Sequence, residues 1–151
     1  MVRIEGEIVI NRPVEEVFDF VADERNEPRY NPQMRVAEQI TAGPIGAGTR
    51  FRAEMMSRGR PVEMVIKFTG YQRPRRLMSF THMSAMDTQG GLTFDPVPEG
   101  TRMRWSWELQ ARGVLRLMGP MVARMGRNQE QRIWTGLKRL LEDQKTPPVS
   151  S

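Results

Sequence analysis

The stretch Pro120–Asp143, PMVARMGRNQEQRIWTGLKRLLED, decides how this chain is read. Its apolar residues Met121, Val122, Met125, Ile133, Leu137, Leu140 and Leu141 recur at helical spacing, while Arg124, Arg127, Glu130, Lys138 and Arg139 fall mostly on other faces. The spacing predicts one long amphipathic helix over about 120 to 143, with Gly119-Pro120 starting or kinking it. Such a helix must bury its stripe against another layer, and the chain before it supplies one.

Working back from the helix, apolar and polar residues alternate in run after run. Met103, Trp105, Trp107 and Leu109 form one such face; Leu92 with Phe94, Met78 with Phe80 and His82, and Val62 with Met64, Ile66 and Phe68 form others. Residues 49 to 56 and 34 to 41 continue the series. The Gly43 to Gly48 turn and Pro98-Glu99-Gly100 punctuate it, so the middle of the chain reads as an antiparallel meander covered on one side. Residues 3 to 11 form a first strand, with Ile4, Gly6, Ile8 and Ile10 on one face. Pro13 then opens a short helix to about Ala22, marked by acidic Glu15 and Glu16 and by Val14, Val17, Phe18 and Val21. Asp23 caps a second brief helical turn, which Pro28 and Pro32 end. The result is an α+β chain.

Composition narrows the chemistry. A length of 151 residues suits one domain, expected over 1–145, with a tail at 146–151 that is expected to fray. Without cysteine there are no disulfides, thiolate nucleophiles or zinc fingers. No run is apolar enough to span a membrane and the N-terminus lacks a signal-peptide core, so a cytoplasmic protein with no integral membrane association is expected. The net charge of +5 comes from arginines scattered among acids, without the dense stripe or reading motif of a nucleic-acid binder. Twelve methionines, mostly in apolar segments, suit an adaptable wall. No metal or cofactor is expected: Glu15, Glu16, Asp19, Asp23 and Glu24 read as helix-surface charge, and the Gly43 to Gly48 turn lacks the Gly-Lys-Ser/Thr of a phosphate loop.

The pieces Asn11-Arg12-Pro13-Val14-Glu15-Glu16-Val17-Phe18, Tyr30-Asn31-Pro32, Gly46-Ala47-Gly48-Thr49-Arg50-Phe51 and Gly100-Thr101-Arg102-Met103 leading into Trp105, in this order of elements, resemble the SRPBCC superfamily. That group holds START-like lipid carriers, birch-allergen-like proteins and polyketide cyclase/dehydrase-like proteins. Tyr30 stands where relatives usually carry Trp. The resemblance implies a helix-grip fold: a curved sheet of six or seven antiparallel strands, two short helices after the first strand, and the long C-terminal helix across the concave face. It also implies a cavity between sheet and helix.

The helix offers its own argument for a hollow. At about 100° per residue, Met118, Val122, Met125, Gln129, Gly136 and Leu140 share one arc, with Arg132 beside it. Small or polar residues at Gln129 and Gly136 mean either a hollow there, or a close backbone approach at Gly136 and a strand carbonyl bonded by Gln129. The expected ligand-binding set is Met55, Met64, Phe68, Phe80, His82, Phe94 and Trp105 on the sheet, and Met121, Met125, Gln129 and Arg132 on the helix.

His82, the lone histidine, shares a strand face with Met78 and Phe80 and is placed toward the cavity, either as an acid or base or simply bonded to a neighbour. Ser79 and Ser84 near it do not make a triad. The expected function is binding or carriage of a small hydrophobic ligand of lipid, isoprenoid or polyketide type by a monomer or homodimer. The alternative is an aromatase/cyclase in which His82, Tyr71 or Arg132 handles protons, and a third possibility under the resemblance is a protein-binding chaperone activator.

Overall fold

The N-terminal alternation becomes strand β1 (Val2–Ile10), and Pro13, at the extended position before the helix, launches α1 (Val14–Ala22). Val14, Val17, Phe18, Val21 and Ala22 are the buried face of α1, while Glu15 and Glu16 meet the positive end of its dipole. A 3₁₀ turn (Glu24–Arg29) follows, capped by the Asp23 carboxylate, which accepts from the Arg25 backbone N–H at 3.1 Å. Six strands come next: β2 (Met34–Gln39), β3 (Arg50–Ser57), β4 (Arg60–Gln72), β5 (Arg76–His82), β6 (Met86–Val97) and β7 (Gly100–Ala111). A second 3₁₀ turn (Gly113–Met118) leads into α2 (Gly119–Asp143). The computed structural model describes residues 1–143, and the tail expected at 146–151 lies outside them.

The seven strands form one antiparallel sheet in the order β1-β7-β6-β5-β4-β3-β2. Each hairpin neighbour in sequence is a neighbour in space, except that β1 closes onto β7 at the far edge. Ile4, Ile10, Met103, Trp105, Leu109, Leu92, Phe94, Leu77, Ile66, Phe68 and Phe51 are buried on the inner face, beneath α1 and α2. Aromatic edges lock the layers: Phe18 of α1 meets Tyr71 and Phe94, each at 5.2 Å between ring centroids.

Two expectations about facing are corrected here. In β5 it is Leu77 and Ser79 that are buried, whereas Met78 and Phe80 are half-buried on the outer face and His82 lies exposed beyond them. β5 carries apolar residues on both faces, so its parity is ambiguous in isolation. The register decides it, because Ser79 pairs with buried Phe68 and Phe80 with Lys67.

In α2 the buried residues are Ile133, Trp134, Leu137 and Leu141. The expected inward arc through Val122, Met125, Gln129 and Gly136 is thus about one residue, or about 100°, out of phase. Met121 and Met125, 48% and 54% exposed, point away from the sheet. The N-terminal half of α2 is ambiguous by periodicity, and only the C-terminal half, with Ile133, Leu137 and Leu141, carries buried branched residues that seat it.

Candidate functional site

Four expected residues come together on the inner face: Met64, Phe68, Phe94 and Trp105 are buried, with Met55 half-buried beside them. What closes over them from α2 is Trp134, which the periodicity argument did not select. Its ring lies 6.2 Å from Trp105 and 6.0 Å from Tyr30, centroid to centroid. Gly6 opposite Trp105 on β1 makes the sheet side possible, since a Cβ there would overlap the indole. Gly136 does the same on the helix side: a Cβ would stand 2.5 Å from the Tyr30 carbonyl oxygen. Its small size serves close backbone approach rather than a hollow.

Between α2 and the first 3₁₀ turn lies a group of acids. Glu130 projects its carboxyl inward beside Trp134 although its stem is partly exposed. Burial, then the nearby Glu27 charge, push that carboxyl up to about 8, while the Trp134 N–H acts in the opposite sense. Glu24 behaves alike, raised well above the usual carboxylate range by burial and then by Glu27. It was expected among surface charges, but its Oε2 is wholly buried without a hydrogen-bond partner. Asn31, itself buried, donates from Nδ2 to Glu27 Oε2 at 2.8 Å, and the Tyr30 phenol is also pushed up, chiefly by burial. The indole nitrogens of Trp107 and Trp134 are buried with no acceptor in hydrogen-bond geometry. Gln129 sits at the rim, where its Nε2 donates to Gln33 Oε1 at 3.0 Å and reaches no strand carbonyl.

The remaining expected residues are elsewhere. His82 is on the outer face, its Nδ1 2.7 Å from Asp87 Oδ1, and its side chain is 61% exposed. Arg112 holds the same Asp87 at 2.9 Å and, more than His82, keeps its carboxylate below the usual range. Phe80 helps line a hollow of about 700 Å³ on the outer face, with Met78, Lys67, Gly91 and Ser106. Arg132 is exposed on the far side of α2. Tyr71 is half-buried on the inner side, its hydroxyl raised by burial, and does not meet His82 or Arg132. The proton-handling trio of the enzyme alternative is therefore not assembled. The missed residues Glu130 and Trp134 had a signal: stepping back from Leu141 through Leu137 by four, three and four positions reaches Trp134 and then Glu130. Among the described residues no group of His, Cys, Asp or Glu side chains has the arrangement of a metal site.

A seven-stranded antiparallel sheet gripping a long C-terminal helix defines the helix-grip class. The chain belongs to the family described as polyketide cyclase / dehydrase and lipid transport, whose pattern matches residues 1–142. Among solved structures it is similar to the Zhui aromatase/cyclase from Streptomyces sp. R1128, with a TM-score of 0.82, 11% identity, and 99% of this chain and 98% of that one covered. It is also similar to a START superfamily protein from Mycobacterium smegmatis, with a TM-score of 0.81, 12% identity and coverage of 93% and 97%. Ara h 8.0201 gives a TM-score of 0.76, 14% identity and the same coverage. At these identities the likeness is one of fold. No curated protein matches the sequence significantly.

Proposed function

We propose that the chain binds one small, largely apolar molecule of lipid, isoprenoid or polyketide type between the sheet and α2, with an oxygen of that molecule directed at Glu24, Glu130 and Trp134. The observation that carries this reading is Glu24 Oε2, buried without a hydrogen-bond partner, together with the Trp134 N–H, which faces the Glu130 carboxyl outside hydrogen-bond geometry. Buried polar atoms are almost always satisfied, and a hydroxyl both donates and accepts, so an oxygen-bearing ligand supplies the kind of partner these atoms lack. Apolar walls with a few converging polar groups are the ordinary make-up of a small-molecule site. Family membership supports the same class of function.

A second reading draws on Glu130. A carboxyl raised to about 8 stays largely protonated at neutral pH, the state a general acid in an aromatase/cyclase-type reaction requires. Native mass spectrometry of freshly purified protein tests the binding reading. The expected result is one co-purified apolar molecule per chain, released by organic solvent. Absence of any adduct, together with no saturable uptake of an apolar fluorescent probe, would overturn it. Turnover of a polyketide-like substrate lost in Glu130→Gln, with binding kept, would favour the second reading.

A further inference from the structure

Between Glu108 and Glu130 the sequence holds no acidic residue, yet it carries Arg112, Arg116, Arg124 and Arg127. The structure places this segment in the second 3₁₀ turn and the first half of α2, where Leu115, Met118 and Val122 are half-buried and four other apolar side chains are left in solvent. Val114 is 76% exposed and Leu117 85%, and Met121 and Met125 continue the row on the face of α2 turned from the sheet. Arg116, Arg124 and Arg127 are exposed and lie in no ion pair among the described residues. Elsewhere on the surface some arginines are matched, as Arg3 with Glu108, Arg52 with Glu38 and Glu63, and Arg73 with Asp19, while exposed Arg58, Arg60, Arg76, Arg132 and Arg139 are unpaired among the described residues but lie in stretches that also carry acids or lack an exposed apolar row. Arg112 alone in this segment is engaged, by Asp87 and by backbone carbonyls of Met83 and Ser84.

We propose that this face, with Val114, Leu117, Met121 and Met125 at its centre and Arg116, Arg124 and Arg127 around them, docks on the surface of an anionic lipid bilayer. An apolar row on a basic helical segment that is not itself hydrophobic enough to span belongs in the plane of the interface, with side chains entering the headgroup region. Unpaired arginines in a segment without acids supply the attraction to anionic lipid, and the unbranched methionines adapt to acyl chains. Charge complementarity selects this occupant over a neutral apolar partner. The inference stands independently of what the interior binds.

The test is vesicle flotation of the intact protein with phosphatidylcholine vesicles and with vesicles of phosphatidylcholine mixed with phosphatidylglycerol. Binding to the mixed vesicles alone, weakened by salt, is expected. Leu117→Glu, at a position with nothing to unpack, and the triple change Arg116→Gln, Arg124→Gln, Arg127→Gln should each weaken binding by at least about tenfold with an unchanged far-ultraviolet spectrum. Equal binding to both vesicle types, no binding to either, or unchanged binding of the two variants would overturn the proposal. So would a concentration-dependent dimer of the parent protein that Leu117→Glu abolishes, since a second copy would then own the face.

Discussion

Glu130 carries its carboxyl into the interior, and the cost of ionising it there should be visible in stability. An unfolded glutamate ionises near about 4.3, whereas in the folded chain this one ionises at about 8. Between those values the folded form keeps a proton that the unfolded form has lost. The contribution is therefore fully present below about pH 4 and is lost as pH rises through about 8, with Glu24 acting in the same direction. Denaturant unfolding across this window should show stability falling with pH in the parent and a visibly flatter dependence in Glu130→Gln. An equal slope in both would mean that the carboxyl is solvated. At this scale the sequence was partly legible. Met64, Phe68, Phe94 and Trp105 sit where alternation put them. His82 does not, because one residue of parity in β5 separates the core from the solvent.

In α2 the decisive element-level fact is its rotation about its own axis, and Gly136 reports it. Leucine in place of this glycine would gain about 1 kcal/mol of helix propensity, but the new side chain would meet the Tyr30 carbonyl, at a cost of roughly 1 to 3 kcal/mol or more because backbone must move. Gly136→Leu should lower the melting temperature. A rise would restore the reading in which the position faces empty space. The helix's existence and length were legible because Ile133, Leu137 and Leu141 repeat at helical spacing and Gly119-Pro120 marks its start. Its phase was not, because methionine is equally at home in a core and on an adaptable surface.

For the whole molecule, α2 and the sheet are halves of one core, since Leu137, Leu141 and Trp134 cover the inner face that holds Phe51, Phe94 and Trp105. A chain ending at Met118 should therefore show no cooperative unfolding transition by circular dichroism. A sharp transition in that truncated chain would mean that the sheet is stable uncovered. The sequence by itself determined the α+β order of elements, a meander of six or seven strands and the closing helix, because these follow from local periodicity and from turn residues that act over a few positions. Only the tertiary structure decided which face of β5 and of α2 turns inward, that Gly136 yields to Tyr30, and that Glu24, Glu27 and Glu130 meet from two distant segments. Those outcomes depend on strand register and on steric contacts between residues far apart in the chain, which no local pattern encodes.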